Sequence, residues 1–187
     1  MKIISGSAKG TFLKDAGKNT RATLSRLRTV LFDTISNDIT DKKFLDCFAG
    51  TGSICLEALS RGAKNAVAIE ITRNACEIIK ENAANCNLKK NLKVIKTDFL
   101  RFIRTNDKTF DYIFIDPPRY KNLIEESLSA ILAHPRIYDE NTIIIIEFCP
   151  KEDITINENN FEIIKVKKSG NTIFNFLKVR DFLNNPC

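Results

Sequence analysis

The chain has 187 residues, a formal net charge of +6, 43% hydrophobic and 28% charged residues, which is the balance of one globular domain able to bury a single core. No apolar run reaches the length of a membrane span, and Lys2-Ile3-Ile4 is too short for the apolar core of a secretory signal. Six cysteines without a Cys-x-x-Cys pair, and a single histidine, argue against a zinc site or a disulfide frame, so a cytoplasmic protein with buried thiols and no metal is expected.

The charge is unevenly placed. Residues 1–30 carry seven basic side chains and one acid, and the remainder is balanced. Such a patch is either a solvated basic tail or the footprint of a polyanion partner. Short β-like pieces, Lys2-Ile3-Ile4 and Thr11-Phe12-Leu13, precede a helix that begins near Thr20. Leu24, Leu27, Leu31 and Ile35 repeat at three and four and predict a core-facing stripe. Arg21, Ser25 and Arg28 recur on another face, expected to hold arginines outward for phosphates.

Lys43-Phe44-Leu45 reads as a strand, followed by Asp46-Cys47-Phe48-Ala49-Gly50-Thr51-Gly52 and a helix over Ile54–Leu59. Strand, two-glycine turn and helix start make a nucleotide-binding corner. A dinucleotide fingerprint would have glycine or alanine where Cys55 stands, and Asp46 would repel a pyrophosphate. An acid there suits a cationic amino-acid ligand, which points to S-adenosylmethionine and away from a dehydrogenase. Ala66-Val67-Ala68-Ile69-Glu70 and Leu92 to Asp98 are further strands ending on acids. Glu70 is placed to accept from ribose hydroxyls and Asp98 from an adenine amine, with Phe99 beside the ring. A helix over Arg73–Cys86 lies between those two strands.

Asp111 to Asp116 forms a fourth strand, and Pro117-Pro118-Arg119-Tyr120 follows. Two prolines fix φ and present carbonyls in set directions, so Asp116 and that backbone make a rigid acceptor pair for an exocyclic amine. A helix to Ala133, a strand over Thr142–Phe148 and a hairpin turning at Ser169-Gly170-Asn171 complete the chain. The alternation predicts a Rossmann-like α/β fold: a mostly parallel seven-stranded sheet with one reversed strand and helices on both faces.

The corner, the stretch Leu56-Glu57-Ala58-Leu59-Ser60-Arg61-Gly62 and Asp116-Pro117-Pro118 resemble class I methyltransferases acting on an amino nitrogen. With Ile3-Ile4-Ser5-Gly6, Thr20-Arg21, Arg26-x-Arg28 and Gly170-Asn171-Thr172, nearly the whole chain resembles the RsmD family, the 16S ribosomal RNA guanine exocyclic-amine methyltransferases. The resemblance implies that Asp46, Phe48, Ala49, Gly50, Thr51, Gly52, Glu70, Ile71, Asp98 and Phe99 bind S-adenosylmethionine. It implies that Asp116, Pro117, Pro118, Arg119 and Tyr120 hold the target base. A basic extension over residues 1–40, with Lys9, Arg21, Arg26 and Arg28, is expected to grip the ribosomal RNA or small subunit, in a single domain over 1–187 acting as a monomer. Two positions depart from the family pattern: Ala22 replaces a proline, and Arg119 stands where an aromatic residue is usual, with Tyr120 one place later. An adenine-amine DNA methyltransferase and a cofactor-binding RNA-binding or assembly protein are the alternatives.

Overall fold

The computed structural model describes residues 1–15, 21–119 and 122–180, without the side chains of residues 21–24 and 37. Five apolar runs become strands β1 (Lys43–Asp46), β2 (Asn65–Glu70), β3 (Leu92–Lys96), β4 (Tyr112–Ile115) and β5 (Ile143–Phe148). The hairpin strands are β6 (Phe161–Ser169) and β7 (Thr172–Val179). They join in the order β3-β2-β1-β4-β5-β7-β6, every neighbouring pair from β3 to β5 parallel and β7 antiparallel to both its neighbours. Chain order reverses direction across the sheet at β1 and β4, which opens a crevice at their carboxyl ends.

Side chains alternate between two faces, as the two-residue period of a strand requires. Phe44, Phe114 and Ile145 pack under α1 (Arg21–Ile35), α2 (Ser53–Ser60) and α3 (Arg73–Asn85). Leu45, Ile113, Ile115 and Ile144 pack under α4 (Phe99–Thr105) and α5 (Leu123–Ala133). Of the expected stripe on α1, Leu27, Leu31 and Ile35 are buried, and Phe32 joins them. Helix α4 is not among the sequence-based expectations. Its start is fixed by Asp98, whose side chain accepts from the Arg101 amide at 2.9 Å.

The first 15 residues return along α2. The amides of Ile4 and Ser5 donate to the two oxygens of Glu57 at 2.9 and 3.0 Å, and the Ser7 amide donates to the Ser60 carbonyl at 2.7 Å. At this approach Gly6 has φ +83°, and a Cβ would overlap the Ser60 carbonyl, so only glycine fits. The β-like pieces of this segment reduce to one antiparallel bridge, Lys2 with Phe12.

That return covers the face of α1 carrying Arg28 and corrects the expectation of an outward arginine there. Arg28 is 2% exposed, donates to the Lys2 carbonyl at 2.9 Å and lies 3.6 Å from Glu57. Glu57, fully buried, also takes Arg61 Nε at 2.9 Å. A charge hidden from water needs such partners, and Arg28 supplies part of that set instead of meeting phosphate. Arg26 and Lys9 are exposed, and the side chain of Arg21 lies outside the described residues. Cys47, Cys55, Cys76 and Cys86 are buried free thiols. Among the described residues no helix is long and apolar enough to cross a membrane.

Candidate active site

A cleft of about 1140 Å³ opens where the carboxyl ends of β1, β2, β4 and β5 converge. Of the residues expected to bind a cofactor, Phe48, Gly50, Glu70, Ile71, Asp98 and Phe99 line it. Asp116, Pro117, Pro118 and Arg119 line it too, beneath Ser169, Asn171 and Thr172 of the β6–β7 turn. Asp46, Ala49, Thr51 and Gly52 build the corner from behind. Asp46 and Ala49 are buried, and the Gly52 amide donates to the Ala49 carbonyl at 2.7 Å. Gly52 has φ +81°, and a Cβ there would come within 3.0 Å of Ile79, so both its conformation and its packing ask for glycine. Tyr120 lies outside the described residues.

The strand-end acids have different surroundings. Glu70 bridges the corner: one oxygen accepts from the Gly50 amide at 3.0 Å and the other from the Thr72 amide at 2.7 Å. Asp98 caps α4 and lies 3.3 Å from Arg101 Nε. Asp46 is 1% exposed, and neither carboxylate oxygen completes a hydrogen bond, although the Phe48 and Cys55 amides are directed toward it. Burial pushes its pKa up to about 7, the charges of Asp116 and Glu70 add to the rise, and those two amides oppose it.

Asp116 is reached by solvent from the open cleft yet is walled by protein on its other sides. That enclosure raises its pKa to about 6; Arg119 opposes the rise and Glu152 adds to it. Beside it stands Glu147, at the end of β5, which the sequence-based expectations omit although it obeys the same strand-end pattern as Glu70. Enclosure raises it to about 8, with Asp116 and Asp46 adding and Arg119 opposing. With both acids raised, the site near neutrality holds fewer negative charges than carboxylates. Arg119 reaches over the rim to Glu152 at 3.2 Å, and the same Glu152 oxygen accepts from the Cys149 amide at 2.8 Å. A pair of acceptors at a proline-stiffened strand end, facing a corner with an unsatisfied buried acid, can orient an amine against a cationic ligand.

A family model described as conserved hypothetical protein 95 matches residues 1–178. The chain is 33% identical to the ribosomal RNA small subunit methyltransferase D of Buchnera aphidicola subsp. Acyrthosiphon pisum over 159 residues, 84% of this chain and 82% of that one. It is 29% identical to the protein of that name from Escherichia coli K12, covering 93% of this chain and 87% of the relative. Among solved structures, the putative methyltransferase yhhF from Escherichia coli superposes with a TM-score of 0.84 at 27% identity, over 96% and 97% of the two chains. The putative methylase HI0767 from Haemophilus influenzae gives a TM-score of 0.79 at 26% identity, over 95% and 97%.

Proposed function

This chain belongs to the family described as conserved hypothetical protein 95, the RsmD family of ribosomal RNA methyltransferases, and on that premise we propose that it methylates small-subunit (16S) ribosomal RNA. The methyl donor is S-adenosylmethionine and the acceptor is the exocyclic amine of a guanine. The observation that carries the reading is the meeting, in one cleft, of the glycine corner with Asp116-Pro117-Pro118.

The residues present fit the cofactor. Single-ligand pockets run to roughly 300–1000 Å³, and a cleft of about 1140 Å³ leaves space for a base beside it. Asp46, buried and without a completed hydrogen bond, offers a negative charge that a cationic ligand would stabilise. Glu70 would take ribose hydroxyls on the lone pairs its two amides leave free, and Asp98 the adenine amine, with Ile71 and Phe99 beside the ring. Phe48 and Gly50 would contact the methionyl end, and Ala49, Thr51 and Gly52 shape the turn behind it. Bound there, the cofactor supplies a methyl group already activated on a sulfonium.

The protein's own work is alignment. Asp116 and the Pro117 carbonyl accept the two hydrogens of the amine and favour a nitrogen lone pair aimed along the transfer line, while Pro118 stiffens the platform. As positive charge develops on that nitrogen, Asp116 stabilises it and then takes the proton. Arg119, held at the rim by Glu152, and Tyr120 share the stacking face for a base displaced from its own stack. Lys9, Arg21 and Arg26 contact phosphates from the basic segment over residues 1–40 of a single domain over 1–187, and Arg28 supports them from within. The enzyme acts in the cytoplasm as a monomer, on ribosomal RNA either free or within the small subunit.

The test is transfer of labelled methyl to small subunits lacking the modification, with the modified base mapped. Wild-type protein should label one guanine, and Asp116→Ala should reduce transfer at least 100-fold while still binding cofactor. Labelling of DNA adenine instead would favour the alternative substrate. Cofactor binding without transfer to either would leave an RNA-binding assembly protein.

A further inference from the structure

The reading above uses Asp116 but not the second carboxylate beside it. Ile115 and Ile146 are the last registered pair of β4 and β5, so Asp116 and Glu147 occupy the next positions on neighbouring strands. Parallel neighbours stand about 4.8 Å apart, and both side chains line the same cleft. The Glu147 backbone pairs with Phe174 in the β5–β7 ladder, and its side chain makes no hydrogen bond or ion pair with another described residue. Glu57, which serves structure, looks different: it is enclosed by donors. Glu147 keeps its acceptor capacity for something that enters the cleft.

Resting on the guanine-amine reading, we propose that Glu147 is the specificity-determining residue of the base pocket, accepting the ring N1–H of the target guanine while Asp116 accepts from the adjacent amine. Guanine carries those two donors side by side on its Watson–Crick edge, and flipped bases are read along that edge. Adenine also sets an amine beside N1, but its N1 is a bare lone pair that a carboxylate repels. A site built around a substrate N–H discriminates strongly against an analogue lacking it, because its own polar group is then left unpaired.

To accept N1–H the Glu147 carboxylate must be ionised. The groups facing it are Asp116 and Arg119 after β4, and Asp46 at the end of β1, with Glu152 from the segment after β5 acting on Asp116. Enclosure, with the charges of Asp116 and Asp46 adding to it, holds the Glu147 proton in the free protein, so guanine recognition strengthens as pH rises toward about 8.

The experiment uses the full chain and small subunits reconstituted with guanine or with 2-aminopurine at the modified position. The analogue keeps the amine and lacks N1–H. Wild type should prefer guanine on the order of 100-fold or more in kcat/KM. Glu147→Gln should lower that ratio at least tenfold, since its amide can turn an N–H toward the bare nitrogen. Glu147→Asp, which keeps the acceptor, should retain the preference at reduced rate. Binding of S-adenosylhomocysteine by each variant verifies the fold. A wild-type ratio near one overturns the inference, as does an unchanged ratio in Glu147→Gln, and in both cases the methyltransferase reading stands. Wild type inert toward the guanine subunit overturns that reading and this inference together.

Discussion

Two carboxylates lie in the dark on either side of the corner, and they are treated in opposite ways. Glu57, on α2, receives two backbone amides and two arginines. Asp46, at the end of β1, is equally buried and completes no hydrogen bond. Burying an ion without partners costs several kcal/mol, so a fold keeps it only where something else is gained. Glu57 fastens the N-terminal segment to α2. Asp46 is held in readiness behind a cleft. The contrast separates an acid whose partners all come from the protein from one that completes no hydrogen bond within it.

Removing Glu57 breaks the first half of the contrast and should give the largest effect. Glu57→Ala leaves Arg28 buried without its carboxylate and frees the Ile4 and Ser5 amides, a loss of about 3–5 kcal/mol. Urea denaturation with a lower midpoint would record it, and the segment over residues 1–15 should become sensitive to protease first. A variant as stable as wild type would mean that Glu57 stabilises nothing and only marks the docking register.

Asp46→Asn sharpens the other half, because the sign reverses. The folded-state pKa of Asp46 is raised to about 7, above the roughly 3.9 of an unfolded chain. Its contribution is therefore fully favourable below about pH 4 and is lost as pH rises through about 7. The asparagine variant should be more stable than wild type by about 1–3 kcal/mol at pH 8, after the desolvation of its own amide, and no more stable at pH 4. Cofactor affinity should fall in the same variant. Thermal melts at the two pH values and calorimetry with S-adenosylmethionine check the pair of outcomes, and a gain of stability without loss of affinity would take Asp46 out of the binding site.

Much of this was legible in the residues. Apolar runs of strand length, each closed by an acid, predict both the sheet and its ligand edge, and the two-glycine turn marks the corner. The hairpin is readable from its change of period. Helix α4 is not, because Phe99–Thr105 spans only about two turns, too few for its buried Phe99, Phe102 and Ile103 to stand out as a helical face, and the capping role of Asp98 competes with its reading as a ligand. The burial of Arg28 depends on Lys2 and Glu57, far away in sequence, so no local pattern on α1 could reveal it. Glu147 was within reach: it closes the Ile143–Ile146 run just as Glu70 closes β2.

The smallest expected effect falls on the basic segment, where the comparison is between a buried arginine and its exposed neighbour. Arg28 and Arg26 lie two residues apart on α1, yet one is enclosed and the other faces solvent beside Leu27, which reaches the cleft. If Arg26 and Lys9 meet phosphates, replacing both by alanine removes about two counterions from the binding equilibrium. The slope of log affinity against log salt should flatten by about 2, with cofactor affinity and melting temperature unchanged. Arg28→Ala should do the reverse, lowering the melting temperature while any loss of RNA affinity follows from loosening of the segment. Filter binding of small-subunit RNA across a salt series separates the two. An unchanged slope in the Lys9, Arg26 double variant would assign the exposed charge to solubility and move the RNA grip elsewhere on the surface.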